Sequence, residues 1–165
     1  MALLEILCYP DPRLHKVAKK VLQFDANLQE KIENMAQTMY AAPGIGLAAT
    51  QVNILENIIV IDISDGRDEL IVLINPEIVW ASEEKKSWRE GCLSVPEYYD
   101  EVSRPDCVRV RAQNPQGEYF EIEAEGILSV CIQHEMDHLV GKVFVEYLSP
   151  LKRARIKGKM KKRTQ

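Results

Sequence analysis

The sequence predicts an α+β fold with antiparallel sheets. Three observations carry that prediction. A helical stripe comes first, then a block of strand-like runs, then two further helical segments, an order that argues against a wound βαβ sheet. Turn sequences such as Asn114-Pro115-Gln116-Gly117 lie between the strand-like runs and are tight enough to return the chain antiparallel. Finally, 165 residues with 46% hydrophobic and 28% charged content suit one well-filled domain spanning residues 1–165.

Pro10 and Pro12 keep the first residues out of regular structure, leaving a loop and a short turn near Arg13-Leu14. Asp25 is placed to cap a helix running to about Ala41, in which Leu28, Ile32, Met35 and Met39 form one core-facing stripe. Pro43-Gly44-Ile45-Gly46 ends that helix. From Asn57 the runs IIVIDI, LIVLI and, after Asn75-Pro76, EIVW read as strands, followed by Val102–Ala112 and Glu118–Ala124. Val108, Val110 and Ala112 alternate with Arg109, Arg111 and Gln113, which predicts one dry face and one wet face. A second helix spans about Glu125 to Val140, stopped by Gly141. A third begins near Ser149-Pro150 and runs to the end, 149–165. No repeat or low-complexity tract divides the chain.

The net charge of −4 names no partner until its distribution is considered. No apolar run approaches the roughly 18–20 residues that span a bilayer, and the start has neither a basic region nor a long apolar stretch, so cytoplasmic residence without a membrane is expected. Cys8, Cys92, Cys107 and Cys131 form no CxxC pair and no disulfide framework. Each is a core residue, a ligand or a nucleophile. For Cys8, Cys107 and Cys131 the buried, inert core thiol is the expectation.

The sharpest chemical signal is His134-Glu135-Met136-Asp137-His138. Histidines at i and i+4 project from one helix face, so two imidazole nitrogens can meet one metal ion while the adjacent glutamate reaches its water. The apolar residues before and after the motif argue against a merely solvated helix face. Ile127, Cys131, His134 and His138 share that face. A catalytic ion needs a third protein ligand and an open position. His15 stands beside Lys16 and reads as solvent-exposed, and no histidine follows His138, leaving Glu146 or Cys92. Cys92 is the better candidate, because Gly91 permits a close approach and a thiolate suits a borderline-soft divalent ion.

The segment Gly44-Ile-Gly-Leu-Ala-Ala-Thr-Gln51 is too poor in glycine and lysine for a phosphate cradle. It reads instead as small-residue backbone able to pass close to a ligand and deliver the Gln51 amide into a site. A glutamine donates a hydrogen bond without titrating, which suits an oxyanion.

Taken together, GIGLAATQ, EGCLS and QHEMDHLVG resemble the three signature motifs of the peptide deformylases, and the resemblance runs from YPDPRL near the start to YLSPLK near the end. It is closest to the bacterial type with a helical C-terminus. It implies antiparallel sheets packed around a central HExxH-bearing helix, and removal of the formyl group from the N-terminal formyl-methionine of nascent proteins, releasing formate. Cys92, His134 and His138 would hold one divalent ion, Fe2+ by resemblance, with Zn2+, Ni2+ or Co2+ as substitutes. The ion would supply hydroxide to attack the formyl carbonyl, with Glu135 as general base and then acid. The Gln51 side chain and the Leu93 backbone N–H would stabilise the oxyanion.

By the same resemblance, Ile45, Gly46, Trp88, Glu90 and Gly91 join Ile127 and Cys131 around the methionine side chain, and Ile45 and Gly46 offer backbone hydrogen bonds to the substrate. Trp88 is equally readable as an ordinary strand aromatic. Many bacterial relatives carry an arginine where this sequence has Tyr98-Tyr99. Asp137 reads either as a support for a metal-binding histidine or as a purely structural residue. Arg104 reads either as a partner for a carboxylate near the site or, the preferred reading, as a solvated strand arginine.

Eight basic and no acidic residues lie between Lys152 and Gln165, leaving the rest of the chain at −12. A basic helix suits an anionic surface, and the resemblance implies docking on the ribosome near the tunnel exit. Deletion after Pro150 is expected to weaken that docking while sparing hydrolysis of small formyl-peptides. A monomer that binds no DNA is expected. Two other readings compete: a zinc endopeptidase, in which Cys92 is no ligand, and a non-catalytic RNA-binding module with a structural metal.

Overall fold

The computed structural model describes residues 3–163, so residues 164–165 of the expected last helix lie outside the described part. After a short 3-10 turn at Pro12–His15, helix α1 spans Ala26–Ala41. Its N-cap is Asp25, whose carboxylate accepts the Leu28 N–H at 3.1 Å. Strands β1 (Gly46–Ala48), β2 (Ile58–Ile61), β3 (Ile71–Ala81), β4 (Lys85–Cys92), β5 (Val95–Pro105), β6 (Cys107–Gln113) and β7 (Tyr119–Glu125) precede helix α2 (Gly126–Leu139) and helix α3 (Pro150–Arg163). The architecture is the α+β class read from the sequence.

Five strands form one antiparallel sheet in the order β1-β2-β3-β6-β7, and β4 pairs with β5 as a separate hairpin. The sheet is covered on both faces at β2, which explains its unbroken apolar run. Ile58 and Val60 pack with Leu28, Ile32, Met35 and Met39 of α1, whereas Ile59 and Ile61 pack with Cys131, Ile132 and Leu139 of α2. Each such side chain gains about 1.5–3 kcal/mol by leaving water. A third cluster joins Leu7, Tyr9 and Leu14 of the N-terminal segment to Val95 and Val102 of the hairpin and to Ile156 and Met160 of α3.

The strand reading needs three corrections. LIVLI and EIVW are one strand, β3, because Asn75 takes a left-handed φ of 52° and the ladder shifts register there instead of breaking. Val102–Ala112 is two strands in different sheets, separated at Asp106. The β4–β5 hairpin has no strand-like alternation to announce β4, whose outer residues are mostly exposed. Cys8 and Cys107 are half-buried rather than core thiols, and Cys131 is buried.

Candidate active site

Helix α2 presents His134 and His138 one turn apart, with their Nε2 atoms 3.3 Å from each other. Cys92, at the end of β4, brings its sulfur within 3.2 Å of His138 Nε2. Among the described residues, these three form a group able to hold a metal ion, with ligand atoms all within 4.8 Å of one another. Burial and the neighbouring His134 hold His138 well below its ordinary pKa, so the two rings do not both carry a positive charge. A divalent cation fits this set, because one cysteine sulfur and two imidazole nitrogens, donors that suit such an ion, lie within 4.8 Å of one another. Glu146, the alternative ligand, faces away and lies 3.2 Å from Nδ1 of the exposed His15.

Glu135 is 4% exposed, and its Oε1 has no hydrogen-bond partner among the described residues. Burial pushes its carboxyl up to about 7, against the lowering influence of the His134 charge. Gly46 makes room for it: a Cβ there would lie 2.6 Å from Glu135 Oε2 and 2.8 Å from Cys131 Sγ. Only glycine allows the backbone this close.

Gln51 is fully buried and its orientation is fixed by its neighbours. Its Oε1 accepts the Ala48 N–H at 2.9 Å, which turns Nε2 towards Ser94 Oγ at 3.0 Å and Cys92 Sγ at 3.4 Å. The amide donor therefore faces the group that would hold the metal.

Behind His134 lies a buried ionic chain. Its Nδ1 is 2.9 Å from Glu90 Oε1, and Glu90 also accepts two hydrogen bonds from Arg104, one of them from Nη2 at 2.9 Å. Arg104 Nη1 donates to Asp137 Oδ2 at 2.9 Å, which also accepts the Tyr147 hydroxyl at 2.8 Å. Burial alone would raise the Glu90 carboxyl, but the hydrogen bonds from His134 and Arg104 hold it below the usual range. Arg104 is thus no solvated strand residue: it is 4% exposed. Asp137 meets Arg104 rather than a histidine ring. Glu90 instead takes the place beside the histidine, because β4 returns past α2 at that point.

A cavity of about 650 Å³ opens over His134 and Glu135. Ile45 and Gly46 line one side, Ile127 and Cys131 of α2 another, and Trp88, Glu90, Gly91 and Leu93 the hairpin side. Glu90 contributes little free polarity there, since both its oxygens are engaged. Gln51 and His138 do not line the cavity but touch Cys92, which does. Tyr99 sits at the rim, its ring against Gly91 and 5.4 Å from the Arg89 guanidinium, whereas Tyr98 packs towards Lys159 of α3. Sequence reasoning passed over Ser94 and underrated Arg104; their partners are distant in the chain and leave no local pattern.

The family model described as polypeptide deformylase matches residues 3–154. The chain belongs to the polypeptide deformylase family. It is 68% identical over 162 residues to peptide deformylase 1 of Ralstonia nicotianae, covering 98% of this chain and 96% of that protein. Against peptide deformylase of Polynucleobacter necessarius the identity is 67% over 165 residues, with 100% and 96% covered. The crystal structure of a peptide deformylase from Legionella pneumophila superposes with a TM-score of 0.94 at 48% identity, over 99% of this chain and 96% of that one. The chain is therefore a deformylase-family enzyme, as its three motifs suggested.

Proposed function

We infer that this deformylase-family enzyme hydrolyses the formyl amide of N-terminal formyl-methionine on nascent chains and releases formate. The observation that carries the reading is the buried Glu135 carboxylate, with one oxygen unpartnered, set beside the Cys92, His134 and His138 group at a cavity lined by Gly46. A divalent ion on that group, Fe2+ with Zn2+, Ni2+ or Co2+ as substitutes, would supply Lewis acidity that acidifies water and polarises a carbonyl.

The residues of the chain account for the rest. Glu135 takes the proton of the attacking water and returns it to the departing amine. The Gln51 Nε2 and the Leu93 backbone N–H donate to the oxygen on which charge develops. Glu90 fixes the His134 ring through Nδ1, which leaves Nε2 on the side of His138, free to hold a metal ion. Ile45, Trp88, Gly91, Ile127 and Cys131 bound the methionine side chain, and the close backbone at Gly46 favours the small formyl group over acetyl. Metal-loaded protein prepared without oxygen is expected to release formate from formyl-Met-Ala-Ser. Cleavage of an internal peptide bond instead would favour the endopeptidase, and no hydrolysis at all would favour the non-catalytic module.

The whole chain serves as one catalytic domain, acting as a monomer in the cytoplasm, with α3 as its ribosome-docking element near the tunnel exit. No helix among the described residues is long and apolar enough to cross a membrane. Deletion after Pro150 is a blunt test of docking, because α3 places Ile156 and Met160 in the third core cluster. Neutralising the exposed Arg155, Lys157 and Lys162 to glutamine avoids that damage. The triple variant is expected to co-sediment less with ribosomes, with a shallower salt dependence, and to hydrolyse formyl-Met-Ala-Ser as the wild type does.

A further inference from the structure

Among the described residues, β1 is the edge strand of its sheet and pairs with β2 alone. The pairing continues one residue beyond the ladder, where the Asp62 N–H donates to the Ile45 carbonyl at 2.9 Å. Across a planar trans peptide, the Gly46 N–H points opposite to the Ile45 carbonyl, hence away from β2 and towards the unpaired edge. That edge borders the cavity, since Gly44, Ile45 and Gly46 all line it. An extended peptide could add there as a further strand.

The first residues of this edge are held by a charged clamp outside the cavity. Arg67, in the loop between β2 and β3, donates from Nη1 to the Asp62 carbonyl at 2.9 Å and from Nη2 to the Gly44 carbonyl. Its guanidinium lies 5.0 Å from the centre of the Tyr40 ring, and the Tyr40 hydroxyl donates to Asp62 Oδ2 at 2.6 Å. Asp62 is fully buried and also accepts the Ser64 N–H and hydroxyl and the Glu69 N–H. The hydrogen bonds from Ser64 and Tyr40 hold its carboxyl down to about 2, so the anion persists over the working pH range. One guanidinium therefore ties the entry of β1 to the exit of β2, on the side away from the reacting groups. Arg67 occupies a left-handed φ of 57° in its loop.

We propose that Arg67 is a positioning residue that holds Gly44–Gly46 as the receiving edge for the peptide backbone that follows formyl-methionine. The proposal rests on the deformylase reading for its substrate. Arg67 is not among the residues lining the cavity, so its loss acts on peptide binding and not on the proton transfers at Glu135.

The test compares wild type with Arg67→Met and Arg67→Lys on formyl-Met-Ala-Ser and on formyl-methionine amide, which lacks the following backbone. Arg67→Met is expected to raise KM for the tripeptide about tenfold, the worth of one or two lost backbone hydrogen bonds, with kcat within about twofold. KM for formyl-methionine amide stays near the wild-type value, and Arg67→Lys recovers part of the tripeptide affinity. An unchanged tripeptide KM, a loss confined to kcat, or an equal rise for both substrates overturns the proposal. Hydrogen exchange at the Asp62 amide gives an arm that needs no turnover: Arg67→Met, or Arg67→Lys if the first variant does not fold, should accelerate it, and unchanged exchange overturns the clamp. Failure of the wild type to release formate would overturn the deformylase reading, while the exchange arm would still decide the clamp.

Discussion

Replacing Glu135 with glutamine is expected to lower formate release by about 10²–10⁴-fold while leaving the metal content unchanged. The substitution preserves shape and removes only the ability to carry a proton from water to amine. Its neighbours favour retention of the metal, because Cys92, His134 and His138 are untouched and Glu135 belongs to none of their hydrogen bonds. Burial sets the Glu135 carboxyl at about 7, and a cation bound beside it draws this down by favouring the carboxylate. The base must be ionised to act, so kcat/KM falls as pH drops through that shifted value, and this acid limb disappears in the variant. Metal analysis alongside the rate separates the two roles. A variant that retains full activity with full metal would remove Glu135 from the mechanism.

The second large effect concerns Arg104. Arg104→Met leaves Glu90 buried without its bidentate partner and removes a hydrogen bond to Asp137. Removing one member of a buried ion pair costs about 3–5 kcal/mol, visible as a lower urea midpoint. Metal affinity should fall about 10–100-fold as well, because Glu90 no longer fixes the His134 ring. Combining Arg104→Met with Glu90→Gln is expected to recover much of the stability, since the unpaired charge is gone, but not the metal affinity. Recovery of both together would mean that the chain behind His134 serves the fold alone.

These two residues mark what could be read from the chain before folding. Glu135 was legible because its partners are adjacent on one helix, where spacing of three and four residues fixes the geometry. Arg104 was not, because Glu90 and Asp137 stand 14 and 33 positions away and a strand arginine has no local sign of burial. The helices followed from their caps and apolar stripes, and β2 from its run of four apolar residues. The β4–β5 hairpin did not, since its fully buried apolar residues, Val95 and Val102, both lie in β5, and the buried Glu90 of β4 is charged. The motif around Cys92 marked a candidate ligand without revealing the strand that carries it.

The cluster around Leu14 and Met160 has a bearing on the order in which the molecule is made. Leu7 and Leu14 leave the ribosome well before Ile156 and Met160, which complete their packing. The same cluster includes Val95 and the partly buried Cys92. During its own synthesis the chain can therefore assemble the sheet between its first two helices before α3 is made, but the hairpin bearing Cys92 gains its final support only once α3 has emerged. Final packing around Cys92 is thereby tied to the synthesis of α3.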